Sequence, residues 1–212
     1  MTATARGRFI TLEGGEGAGK STHIVRLKDW LEARGHAVLA TREPGGSAGG
    51  EMVRKLLVEG PADRWDGVTE ALLHFAARRD HLRATVWPAL KRGMWVVSDR
   101  FADSTRAYQG CGHGLDLGML DRLYDIAVGD FRPALTLILD LPVEVGLARA
   151  GHRRGSETRY ESLPRAFHDR VRAGFLEIAK REPARCAVID ANRDVEQVAE
   201  DIAHCVADRL GI

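Results

Sequence analysis

The stretch Glu13-Gly-Gly-Glu-Gly-Ala-Gly-Lys-Ser-Thr22 puts four glycines into ten residues, between the apolar Phe9 to Leu12 and the amphipathic Ser21 to Arg34. Ile24, Leu27 and Leu31 keep helical spacing, so the segment reads as strand, tight loop, helix. The same alternation continues along the chain. Val38 to Thr41, Met94 to Ser98, Leu135 to Leu141 and Ala187 to Ile189 predict further strands. Val68 to Lys91, Leu115 to Val128, Val143 to Arg149, Leu163 to Arg181 and Val195 to Leu210 predict helices. Right-handed crossovers then give an α/β fold, a five-stranded and mainly parallel sheet with helices on both faces and ligands at the carboxyl ends of the strands. The irregular stretches Glu43 to Gly50, Gly110 to Gly114 and Gly151 to Thr158 are the expected site loops.

Composition narrows the class. With 212 residues, 44% hydrophobic and 29% charged, the chain predicts a single domain over 1–212. A net charge of +1 gives no overall attraction to nucleic acid. No apolar run approaches a membrane span and Met1 to Arg8 lacks a signal core, so a cytoplasmic protein without a membrane partner is expected. Cys111, Cys186 and Cys205 are odd in number and form no Cys-x-x-Cys pair, so all three are expected reduced. The eight histidines show no metal-ligand spacing, and His74 is expected to be structural.

Within that frame, Gly14-x-x-x-x-Gly19-Lys20-Ser21 fits a phosphate-binding P-loop, and the chain predicts a three-layer P-loop NTPase fold. Gly14, Gly15, Glu16, Gly17, Ala18 and Gly19 offer main-chain amides to the phosphates of a nucleoside triphosphate. Lys20 reaches the β and γ phosphates, Ser21 serves Mg²⁺, and Thr22 belongs to the first helical turn. The only asparagine, Asn192, is followed by arginine, so the Asn-Lys-x-Asp guanine reader of GTPases is missing. Val96-Val97-Ser98-Asp99-Arg100 is an apolar strand ending in an acid suited to Mg²⁺ and an arginine suited to a second phosphate.

These residues, with Arg42-Glu-Pro-Gly-Gly46, Phe75-Ala-Ala-Arg-Arg79, Ser104-Thr105, Ala107-Tyr-Gln-Gly110, Gly129-Asp-Phe-Arg-Pro133 and Val145-Gly-Leu147, make nearly the whole chain resemble thymidylate kinases of the bacterial type. The resemblance implies transfer of the γ-phosphoryl of ATP to dTMP, giving dTDP and ADP, in a homodimer that uses Mg²⁺. It implies that Phe75 stacks on thymine and that Arg79, one turn later, binds the base or holds the acceptor site together, with Arg78 facing elsewhere as a structural residue. It implies that Thr105 and Gln109 read the pyrimidine edge, that Tyr108 packs against a deoxyribose, and that Arg100 clamps the acceptor phosphate, with Arg54 joining it or contacting the base. It further implies that Glu43 and Pro44 shape the acceptor pocket, that Asp99 serves magnesium, and that Glu16 organises the site near the acceptor.

Arg149, Arg153, Arg154 and Arg159 surround Gly151 and Gly155, which predicts a short lid at about 149–160. Glu16 and Gly17 stand where another branch of the family carries an arginine, so the transition-state charge falls to the lid, to Arg153 or Arg154 first and Arg149 next. Thr158 stands where many relatives have an acid, which bears on how the lid is anchored. No general base is expected, because a phosphate acceptor with a second pKa of about 6 is already largely anionic at pH 7. Two other readings stay open: a kinase for another nucleoside monophosphate or nucleoside, and a non-catalytic nucleotide-binding interaction protein.

Overall fold

The computed structural model describes residues 7–61, 63–151 and 159–212. Phe9–Glu13 forms β1, buried at every position because it is the middle strand of a sheet covered on both faces. Val38–Arg42 (β2), Trp95–Asp99 (β3), Leu135–Asp140 (β4) and Cys186–Asp190 (β5) complete the order β2-β3-β1-β4-β5, with every neighbouring pair parallel. The inner strands are buried almost throughout, whereas the edge strands β2 and β5 mix covered and open positions.

The helices are Lys20–Glu32 (α1), Ala48–Val58 (α2), Gly67–His81 (α3), Trp87–Lys91 (α4), Ala102–Thr105 (α5), Leu117–Ala127 (α6), Val143–Gly151 (α7), Arg165–Arg181 (α8) and Val195–Leu210 (α9). Alternation along β1 decides which layer meets which residue. Ile10 and Leu12 pack under Ile24, Leu27 and Leu31 of α1 and Val198, Ile202 and Val206 of α9. Phe9 faces the opposite layer, among Phe75 and Ala71 of α3, Ala89 of α4 and Leu120 of α6. Phe167, Val171 and Phe175 of α8 cover Ile138. Each such side chain, fully buried, stabilises the fold by about 1.5–3 kcal/mol relative to exposure.

Three elements depart from the sequence expectation, the first being α2, which begins at Ala48 inside the expected site loop Glu43 to Gly50. The single helix over Val68 to Lys91 is interrupted by a π-helical turn at Leu82–Val86. The stretch expected to be irregular at Gly110 is the end of a π-helix, Arg106–Gly112, that continues α5. Ala107, Tyr108, Gln109, Gly110 and Gly112 are all buried. A segment enclosed on all sides has no polar face, so it carries no amphipathic period to read.

Candidate active site

Parallel strands deliver their exits to one edge, and the Gly14–Gly19 loop lies there directly on its neighbours. Gly14 and Gly17 take φ of +132° and +67°, and a side chain on them would overlap the carbonyls of Leu139 and Gly146. Side chains of Ser47, Asp66 and Asp116 cap α2, α3 and α6, but α1 starts behind Gly19 with no side-chain cap. Its first amides are left for a ligand, and the helix dipole favours an anionic one. Lys20 Nζ folds back onto the carbonyls of Gly14 (3.1 Å) and Gly15 (2.8 Å). Burial and the nearby Arg100 charge push its ammonium down to about 8. Thr22 stands exposed in the first turn, and Ala18 is buried.

Ser21 Oγ donates to Asp99 Oδ2 at 3.0 Å, so two oxygen donors meet beside the loop. No cluster of three or more His, Cys, Asp or Glu side chains suited to a metal exists among the described residues. Two protein oxygens next to a phosphate cradle fit Mg²⁺, which keeps several waters and takes phosphate oxygens as further ligands.

Arg100 follows β3 with φ +68°, the only non-glycine residue in the left-handed region among those described. Such a conformation costs on the order of 1–3 kcal/mol and persists only where its surroundings fix it. Here the Arg100 amide donates to Leu12 O (2.9 Å) and the Arg100 carbonyl accepts from Ser98 Oγ (2.8 Å). The guanidinium donates to Gly14 O (3.1 Å), Ser104 Oγ (3.0 Å), Glu16 Oε1 (3.2 Å) and Tyr108 OH (2.9 Å). Tyr108 OH donates to the same Glu16 oxygen at 2.7 Å. Burial pushes the Glu16 carboxyl upward, but the Arg100 and Lys20 charges outweigh it and hold the group below the usual carboxylate range.

Beyond Arg100 opens a second cavity at the same edge of the sheet. Glu43, Pro44, Arg54, Arg100, Thr105, Tyr108 and Gln109 line it, with Glu16, His74 and Tyr160. Ser104 and Tyr108, and Thr105 and Gln109, are four residues apart on α5 and its π-helical extension, which brings all four to one side. Arg54 Nη1 donates to Pro44 O at 2.7 Å, tying α2 to the cavity wall.

Phe75 and Arg79 are absent from this wall. Phe75 is buried in the core with Ala71 and Leu82, and Arg79 lies over the Trp87 ring and donates to Ala127 O at 3.3 Å. Their i, i+4 relation holds, but one position along a helix turns a side chain by about 100°, and this face is the core face. His74 lines the cavity, and Arg78, four residues on, lies behind the wall against Glu43 and Thr105, which line it. Arg78 is buried and donates to Glu43 Oε2 (2.8 Å), Phe101 O (3.1 Å) and Thr105 Oγ1 (3.1 Å), while its Nη1 has no partner. Glu43 Oε1 also pairs with His81 Nδ1 at 2.9 Å. Burial and the Arg78 charge push the His74 ring down to about 4, so it is neutral. His74, expected to be structural, thus lines the cavity, and Arg78, expected to face elsewhere, bonds two of its lining residues. The apolar run Ala71, Phe75, Leu82 was the signal that assigns Phe75 inward.

Arg159, at the carboxyl end of the expected lid, is buried and ion-paired with Glu70 of α3. It also donates to Pro61 O (3.1 Å) and Leu57 O (3.2 Å), so Arg159 itself is held by Glu70 and two carbonyls. Tyr160 OH donates to Glu70 Oε1 (3.0 Å) and lies 3.1 Å from His74 Nε2. Burial pushes Glu70 up, yet hydrogen bonds from His113 and Arg159 and the Arg159 charge hold it at about 2. Arg149 donates to Ala191 O at 3.2 Å, which sets it beside the Asp190 to Arg193 segment and away from the acceptor cavity. Arg153 and Arg154 lie outside the described residues.

A parallel sheet with the P-loop after its middle strand, and an arginine-lined cavity opening onto that loop, define a nucleotide-handling P-loop phosphotransferase. A family model described as thymidylate kinase matches residues 12–202. Thymidylate kinases of Caulobacter vibrioides and Bradyrhizobium diazoefficiens are 56% and 50% identical to the chain, covering 98% of it in both cases and 99% and 92% of their own lengths. The crystal structure of thymidylate kinase from Ehrlichia chaffeensis superposes with a TM-score of 0.75 at 33% identity, over 94% of this chain and 98% of that one. The chain belongs to the thymidylate kinase family.

Proposed function

We propose that the protein transfers the γ-phosphoryl group of ATP to dTMP, releasing dTDP and ADP. The observation that carries the reading is that one guanidinium serves both sites: Arg100 donates to the Gly14 carbonyl of the P-loop and lines the second cavity. ATP phosphates would lie on the Gly14 to Gly19 amides with Lys20, and the dTMP phosphate would meet Arg100. Ser21 and Asp99 would hold Mg²⁺, which supplies charge neutralisation at the phosphate oxygens. Lys20, Arg100 and an arginine from 153 or 154 would carry the remaining positive charge, and positioning in place of a general base does the rest.

At the far end, the unpartnered Arg78 N–H calls for an acceptor, which the O4 of thymine supplies and the exocyclic amine of cytosine does not. Gln109 and Thr105 would complete that edge, His74 would face the ring in the place expected of Phe75, and Tyr108 would border the deoxyribose. Arg149 beside Ala191 would border adenine. Met52, Val68, Leu72 and Ile126 are exposed apolar residues on α2, α3 and α6, and a homodimer would cover them. No helix among the described residues is long and apolar enough to cross a membrane, in keeping with a cytoplasmic enzyme. The test is ADP release with Mg-ATP across an acceptor panel. Preference for dTMP over dCMP and dAMP is expected to be large, and over dUMP smaller, since one methyl group is worth only about 1–3 kcal/mol. A better acceptor elsewhere in the panel would assign a different nucleotide, and no ADP release at all would leave only a binding protein.

A further inference from the structure

Glu13, the last residue of β1, is fully buried and lines neither cavity, yet it is tied to both. Its Oε1 accepts from the Phe101 amide at 2.7 Å and its Oε2 from the Ser104 hydroxyl at 2.5 Å. Ser104 Oγ in turn accepts from Arg100 Nη1 at 3.0 Å, and the neighbouring Gly14 carbonyl accepts from the same nitrogen at 3.1 Å. A carboxyl group at the end of a central strand is costly to bury, and Phe9, Ile10 and Leu12 earlier in β1 show what packs there otherwise. Both contacts fall just after Arg100, the one non-glycine residue with positive φ among those described: the Phe101 amide follows it directly, and Ser104 lies one turn on.

We propose that Glu13 is the positioning residue for Arg100, holding the strained turn and the Ser104 hydroxyl so that the guanidinium stands between the P-loop and the acceptor cavity. This rests on the reading of Arg100 as the acceptor clamp. The other buried carboxylate nearby, Asp103, is occupied by Arg185 through two contacts of 2.7 and 2.8 Å, so it does not compete for Ser104 or the Phe101 amide. Burial and the Asp103 charge push the Glu13 carboxyl up to about 8. A neutral carboxylic acid keeps both contacts, accepting from Phe101 and donating to Ser104, and a glutamine amide can do the same.

The test is steady-state kinetics of the full chain with dTMP and ATP varied separately, in a cycle with Arg100→Ala. Glu13→Ala is expected to lower kcat/KM for dTMP about 10- to 100-fold, with little change in KM for ATP, and Glu13→Gln to restore most of the loss. In the Arg100→Ala background the Glu13→Ala loss is expected to vanish, because residues that act through one group are not additive. Should Glu13→Ala fail to fold, Ser104→Ala, which removes only the hydroxyl link, takes its place in the same cycle. An equal loss in both backgrounds, or a rise in both KM values together, overturns the positioning role. A parent protein that does not phosphorylate dTMP removes the clamp reading itself, whereas a working parent with an additive cycle removes only the role of Glu13.

Discussion

The two halves of the site are built from different materials. The P-loop is a run of consecutive residues whose ligands are main-chain amides, fixed by glycine conformations and by contact with β4 and α7. The acceptor cavity is a mosaic of side chains from the β2 exit, α2, α3, α5 with its π-helical extension, and the segment after the lid. Its Arg100 leans through Ser104 on the buried Glu13, and behind the wall Arg78 and Arg159 pair with the buried Glu43 and Glu70. A site made of backbone needs only its local turn, while one made of side chains needs a second layer of charge to hold it.

The largest effect expected of substitution concerns charge that neither half supplies among the described residues. Arg153→Ala with Arg154→Ala is expected to lower kcat by about 10³- to 10⁵-fold with a much smaller change in KM for dTMP. Equal loss in binding would move these residues into substrate capture. Next, Lys20→Ala and Arg100→Ala are each expected to cost about 10²- to 10³-fold in kcat/KM, the first through ATP and the second through dTMP. Identical kinetic signatures for the two would erase the division into donor and acceptor halves.

A smaller effect sharpens the assignment within α3. His74→Ala is expected to raise KM for dTMP roughly tenfold, in keeping with base stacking worth about 1–3 kcal/mol, and to leave the melting temperature near that of the parent. Phe75→Ala is expected to cost about 3–5 kcal/mol of stability by opening the core, and Arg79→Ala to leave KM for dTMP unchanged. Comparing dTMP titrations with thermal melts of the three variants checks this. A KM defect centred on Arg79 would restore the resemblance-based register.

A separate effect is a pH dependence of stability. Glu70 is held at about 2 in the folded chain against an ordinary 4.5. It therefore contributes stability that is present above about pH 4.5 and lost as pH falls toward 2, roughly 3 kcal/mol for such a shift. Melts between pH 3 and 7 are expected to show Glu70→Gln less stable at neutral pH and less sensitive to acid. Parallel curves would mean that the Arg159 to Glu70 pair is no anchor.

How far the sequence was legible follows the same division. Gly14 to Ser21 sits between a buried strand and an amphipathic helix, and that local context was enough to assign a phosphate loop. The alternation of strands and helices announced the parallel sheet, and Asp99 at a strand end announced its place beside Ser21. Tyr108 and Gln109 could be named from the resemblance, but their π-helix could not be seen, because full burial leaves no period. The choice between Phe75 and His74 depended on which face of α3 meets the sheet, and both Phe75–Arg79 and His74–Arg78 satisfy the same spacing. Glu13 was quoted as part of a motif without a role, since its partners, Phe101 and Ser104, are about ninety residues distant and only tertiary structure brings them to it.

The central claim is that two phosphorylated nucleosides meet end to end across Arg100. Calorimetric binding of a single ligand in which adenosine and thymidine are joined through their 5′ positions by a pentaphosphate tests it most directly. The account predicts one ligand per protomer, bound more tightly than ATP or dTMP alone, displaced by either, and weakened by both Lys20→Ala and Arg100→Ala. Displacement by only one of the two nucleotides, with one of the substitutions silent, would contradict it.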